Sequence, residues 1–85
     1  MKITIESTAK VVTLEFGSCS VPARVWQGQT ESGIPVQAFI TRIAPEISRD
    51  HTDIDKLTAE FDRDLERLAD PRPSVQAIPL RFFMD

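Results

Sequence analysis

The spacing of apolar residues changes twice along this chain, and those two changes bound what it can fold into. Up to Ile43 apolar residues recur mainly at every second position. From Ile54 to Leu68 they recur at three and four residues (Ile54, Leu57, Phe61, Leu65, Leu68), and from Ile78 to Met84 they alternate again. Period two lines one face of a strand, and three-and-four spacing lines one stripe of a helix. The chain reads as a run of strands, one helix and a closing strand.

Lys2–Glu6 alternates with Ile3 and Ile5 on one side, and VVTLEF follows with Val12, Leu14 and Phe16 on one side. The break at Ser7-Thr8-Ala9 separates them into two expected strands. Gly17-Ser18-Cys19-Ser20 is a turn cluster. Val21–Gln27 is the third expected strand. Its Pro22 has no N–H to donate, so that position belongs at a strand start or toward an open edge. Val36–Ile43 is a more continuously apolar run and reads as a central strand that Pro45 ends. Between these two, Thr30-Glu31-Ser32-Gly33 has the form of a type I turn followed by a glycine at positive φ, a hairpin loop with a bulge. Gly28 falls in the ladder opposite the region of Val36, where it marks a bulge or leaves room for Trp26.

The helix is expected from about Asp53 to Ala69, about 25 Å long. Thr52 and Asp55 resemble a capping box, and Pro71 and Pro73 stop the helix. Ile78–Met84 is the fifth expected strand, with Pro79 placing it at an edge or making Leu80 its start. It returns to the sheet, and a place beside the first strand is open to it. The expected fold is α+β. It is an antiparallel sheet of about five strands, in the order β-β-β-β-α-β, with one amphipathic helix packed on one face. Eighty-five residues make a single domain spanning 1–85.

Charge divides the chain. Residues 1–45 carry four bases and three acids, whereas residues 46–85 carry six bases and ten acids. Phosphate binding needs clustered Lys and Arg, so an acidic second half weighs against nucleic acid. No apolar run approaches the roughly 20 residues of a membrane span. The N-terminal MKITIEST forms no apolar signal-peptide core, so the cytoplasm is the expected compartment.

Chemistry-bearing residues are few. Cys19 is the one cysteine and His51 the one histidine, and no motif pairs them. Arg49–Asp55 (RDHTDID) collects His51 and three acids. It lacks the glycine of a calcium loop and the further Cys or His that zinc requires, so it reads as a polar lead-in to the helix. No metal, cofactor or catalytic constellation is expected, and the chain is read as a non-enzyme.

Three surfaces are candidates for binding. The first is the outer helix face, with Glu60, Asp64 and Arg67, where Lys56–Glu60, Glu60–Arg63 and Asp64–Arg67 are spaced to pair. Eight acids against three bases between Asp50 and Asp70 would steer it toward a basic partner. The second is Arg24 with Trp26 on the strand face opposite Val25, either a binding anchor or cover for a second core. The third is Phe83 on the last strand, where an apolar edge invites pairing with a second copy. The expected function is protein–protein interaction through the helix face or the Arg24/Trp26 face. The alternatives are a single-stranded nucleic-acid binder stacking on Trp26 beside Arg24 and Arg42, or a component that self-associates, as a homodimer, through its last strand.

RVWQGQTESGIPVQAFITRIAP, with the acidic helix and the closing AIPLRFFMD, resembles a group of small uncharacterised proteins encoded by tailed bacteriophages and prophages of proteobacteria. The resemblance covers most of the chain and is strongest from Arg24 to Pro45. It implies a bacterial cytoplasmic setting and a phage or prophage origin, and it implies no activity.

Overall fold

A computed structural model describes residues 1–47 and 53–84. The fold is α+β: a mixed four-stranded sheet with two helices. The strands are β1 (Ile3–Phe16), β2 (Cys19–Thr30), β3 (Pro35–Ile40) and β4 (Arg81–Phe83), in the spatial order β3-β2-β1-β4. The helices are α1 (Ile54–Leu65) and α2 (Pro73–Gln76).

The sheet has four strands rather than five because the first two expected strands are one. β1 runs unbroken past Ser7-Thr8-Ala9, and the apparent gap is a bulge. Ser7 opposes Trp26 and Val11 opposes Arg24, so Thr8, Ala9 and Lys10 together face Val25 alone. The buried Thr8 holds this bulge: its hydroxyl donates to the Val25 carbonyl at 2.7 Å and accepts from the Lys10 N–H at 3.2 Å. Two extra residues preserve the parity of the strand, so Ile3 and Ile5 share a face with Val11, and Val12 and Leu14 lie on the other. The apolar pattern therefore changes sheet face at the bulge, and that change is what resembles a strand break in the sequence.

Both hairpins follow turn chemistry. Gly17, at φ 61°, is the first of the two residues joining β1 to β2, as a type II′ turn requires. At the other end the Gly33 N–H donates to the Thr30 carbonyl at 3.0 Å, and the Thr30 N–H donates to the Ile34 carbonyl at 2.9 Å. With Gly33 at φ 87°, this is the type I turn and glycine bulge read from the sequence. Pro22 and Pro35 sit where their missing N–H groups leave no ladder position empty. Pro22 lies beyond the last β2–β3 pair, and Pro35 is the first residue of the edge strand β3.

The expected central strand is an edge strand, and it ends at Ile40 rather than Ile43. The sheet is not all antiparallel either, because β4 pairs parallel to β1. It begins at Arg81 because Ile78 is drawn into the core and Pro79 has no N–H; the Leu80 carbonyl then receives the Thr13 N–H at 2.7 Å.

The expected helix also differs. α1 ends at Leu65, because Ala69 leaves the helix to bridge Thr8 and donates its N–H to the Ser7 carbonyl at 2.8 Å. Asp53 is its N-cap and makes no side-chain cap bond; the Thr52 of the expected capping box lies outside the described residues. No residue of α1 is buried. The inner sheet face is covered instead by α2, a turn of helix with Pro73 at its start, where proline fits. Val75 and Ile78 complete a core of Val12, Leu14, Ala23 and Val25.

Phe39 of β3 and Phe82 of β4 stack over this core with ring centroids 5.3 Å apart. Those strands are the two edges of the sheet, about 14 Å apart if it were flat at its usual strand spacing. The sheet therefore curls around Val75 and Ile78 until its edge strands meet through their rings. Toward the turn at Glu31 the inner face is polar, because backbone and not side chains covers it. The amide of buried Gln27 donates to the Asp70 carbonyl at 3.0 Å and to the Glu6 carboxylate at 3.3 Å, and its oxygen accepts the Arg72 N–H at 2.9 Å. The Arg72 guanidinium reaches the Gly28 carbonyl at 2.9 Å. One glutamine thus pins the whole segment that carries Val75 into place.

Candidate functional site

The outer face of the sheet is set by the register that fills the inner one. Val25 points into the core, so Arg24 and Trp26 on either side of it point out. Across β3 their partners are Ile40 and Ala38. This second face is apolar as well: Ile5, Val11, Pro22, Trp26, Val36 and Ile40 all belong to it. An antiparallel hairpin with apolar residues on both faces needs cover on both, or a partner for the second.

A groove of about 280 Å³ lies on this face. Val11, Pro22, Trp26 and Ile40 form its floor and near wall, and Ile43 and Leu65 contribute apolar surface from beyond the sheet. Leu65 is the last residue of α1, so the helix touches the rim of the groove with its C-terminal end. Two cations border the groove, Arg24 and Arg42, and among the described residues no carboxylate does. Arg24 is half-buried and its guanidinium donates to the Thr8 carbonyl at 2.8 Å, which ties it to the bulge of β1. Arg42 is exposed and is the cation available to a ligand. Trp26 is half-buried and lines the groove. Sequence reasoning put Arg24 and Trp26 on one face but did not find Ile43 or Leu65. Both lie outside the strands, and only the chain path brings them there.

The other candidates are placed as follows. Glu60, Arg63, Asp64 and Arg67 line one shallow hollow on the exposed side of α1 and beyond its end. Acids and bases alternate in it, so its field is weaker than the acid count suggests. None of the expected helix pairs closes to ion-pair distance among the described residues; the one ion pair found there joins Arg81 to Glu15 at 3.9 Å. Phe83 is 75 % exposed on the outer side of β4, while its neighbour Phe82 turns inward. Cys19 is exposed at the start of β2. His51 and the rest of RDHTDID before Asp53 lie outside the described residues. Among the described residues no group of three His, Cys, Asp or Glu is placed to hold a metal ion, and no helix is long and apolar enough to cross a membrane.

The groove brings together an aromatic ring, aliphatic walls and two guanidinium groups. No protein-family model, curated protein or solved structure matches the chain.

Proposed function

We propose that this chain is a small accessory protein without catalytic activity, acting by binding protein through the Arg24/Trp26 face of its sheet. The observation that carries this reading is the open groove in which Trp26, aliphatic side chains and Arg42 meet. Binding hot spots favour tryptophan and arginine, and here the sheet holds Trp26 in position while Arg42 reaches the groove from the segment after β3. The acidic helix face is the weaker version, since Arg63 and Arg67 sit among its carboxylates. A bacterial setting of phage or prophage origin is the context that the resemblance implies.

The tagged chain, exposed to a bacterial lysate that also contains untagged copies, is expected to retain a stoichiometric protein at low salt and release it at high salt. Arg42→Glu is expected to abolish that capture, and Phe83→Asp to leave it intact. The reverse pattern would move the binding surface to the last strand.

A second reading, a single-stranded nucleic-acid platform, draws support from Arg24 and Arg42 flanking Trp26. The acidic balance of the chain opposes it. Trp26 fluorescence is accordingly expected to stay flat on titration with an oligonucleotide at low salt.

A further inference from the structure

The chain exposes far more surface than a compact domain of its size. Its accessible area is 6710 Å², against roughly 5,100 Å² for a folded monomer of 9.6 kDa by the usual scaling. Its radius of gyration is 15.3 Å, against roughly 12 Å for a compact domain of 85 residues. The excess, roughly 1,600 Å², is more than the roughly 800 Å² that a standard interface takes from each partner.

Two features account for the character of that surface. One is α1, an amphipathic helix with an apolar stripe open at its ends, where Ile54 and Leu65 are 49 % and 40 % exposed, and half-buried between them at Leu57 and Phe61. The other is the apolar groove over Trp26, bordered by Arg24 and Arg42. The two complement each other: the helix carries an apolar stripe and four acids against two bases (Lys56 and Arg63), and the groove an apolar floor with Arg42 open at its rim. Pairing α1 with a second α1 would set acid against acid, whereas seating it in the groove sets acid against arginine.

Resting on the reading of this groove as a protein-binding site, we propose that its occupant is α1 of a second copy. The exchange is reciprocal, so two copies form a two-fold dimer. Each groove then takes apolar side chains from the exposed Ile54 end of the partner's helix, whose Leu65 end already borders the groove of its own chain, while Arg42 meets the helix carboxylates at the rim. Both halves of the contact stand on every chain, so each copy satisfies the other and the assembly closes at two.

Sedimentation velocity of the full chain, from low micromolar to near-millimolar concentration, tests this. The expected result is twice the 9.6 kDa chain mass, with dissociation on dilution that is easier at high salt. Ile54→Asp, which puts a carboxylate on the apolar stripe, and Arg42→Glu are each expected to weaken the dimer about tenfold or more. Both residues are exposed, so far-UV circular dichroism should report an unchanged fold for each variant. Joining Arg42→Glu to Glu60→Lys and Asp64→Lys should restore part of the lost affinity.

A single 9.6 kDa species at every concentration would overturn the dimer. The groove reading would survive that result if Arg42→Glu still abolished capture of a different protein. A dimer indifferent to Ile54→Asp and Arg42→Glu but broken by Phe83→Asp would overturn the assignment in favour of the last strand.

Discussion

Gly28→Ala is expected to be the most destabilising single substitution in this chain, lowering the stability of the fold by about 3 kcal/mol or more. An added Cβ at this position would overlap the Thr4 carbonyl oxygen and come within 2.7 Å of the Ile5 Cα. Both are backbone atoms of the neighbouring strand, which cannot swing aside as a side chain can. β1 and β2 would have to separate where Ile5 opposes Gly28. Overpacking of a well-packed site typically costs about 1–3 kcal/mol, and backbone against backbone belongs at or above the top of that range. A domain of this size has a total stability of about 4–13 kcal/mol, so a loss at that level consumes much of it. The carbonyl of Gly28 also receives the Arg72 guanidinium, so displacing this backbone loosens the cover of the inner face at the same time. Urea unfolding followed by circular dichroism checks this. A variant with a wild-type midpoint would show that the close approach at Gly28 is not a feature of the folded chain.

Gln27→Ala should be the next most damaging change. It removes three hydrogen bonds, to Glu6, Asp70 and Arg72, and strands the Asp70 carbonyl and the Arg72 N–H beneath the segment they anchor. Each lost bond is worth about 0.5–1.5 kcal/mol, and a buried partner left unsatisfied costs about 1–3 kcal/mol. A total near 3 kcal/mol corresponds to a fall in Tm of roughly 12–24 °C for a domain of this size. The effect should also be local before it is global. Hydrogen exchange of the Val75, Gln76 and Ala77 amides, which are bonded within α2, should accelerate more than exchange along the β1–β2 ladder. Uniform acceleration would mean that Gln27 has no particular hold on this segment.

These two residues show where sequence reading succeeded and where it stopped. The alternation of Val21, Ala23 and Val25 placed a strand correctly, and continuing it by two would put Gln27 on the same face. A buried glutamine has no signature in a one-dimensional pattern, however, because what satisfies it is the backbone of residues 70–72. The same applies to Gly28. Its place opposite Val36 was legible, but the reason for a glycine there is the Thr4–Ile5 backbone on the other side. The glycine bulge at Thr30–Gly33 was read correctly because turn chemistry is local.

The helix is the instructive difference. Its stripe is real from Ile54 to Leu65, where α1 ends, yet the stripe did not become the cover of the core. Four residues of α2, with Val75 fully buried, took that place. A stripe shows that a helix needs an apolar surface and does not say which one. On this account the surface is the Trp26 groove of a second copy. The face shared by Arg24 and Trp26 was legible from the period of β2. The groove was not, because Arg42, Ile43 and Leu65 reach it from a loop and a helix end.

The most direct test of that claim uses the chain's single tryptophan, which stands in the groove itself. Emission of Trp26 should be recorded while the protein is diluted from near-millimolar to low micromolar concentration, with Arg42→Glu measured in parallel. If a second copy fills the groove, the wild-type spectrum shifts to the red as the dimer dissociates, and Arg42→Glu starts from the red-shifted position. A wild-type spectrum that stays constant over the whole range and coincides with that of Arg42→Glu would contradict the account.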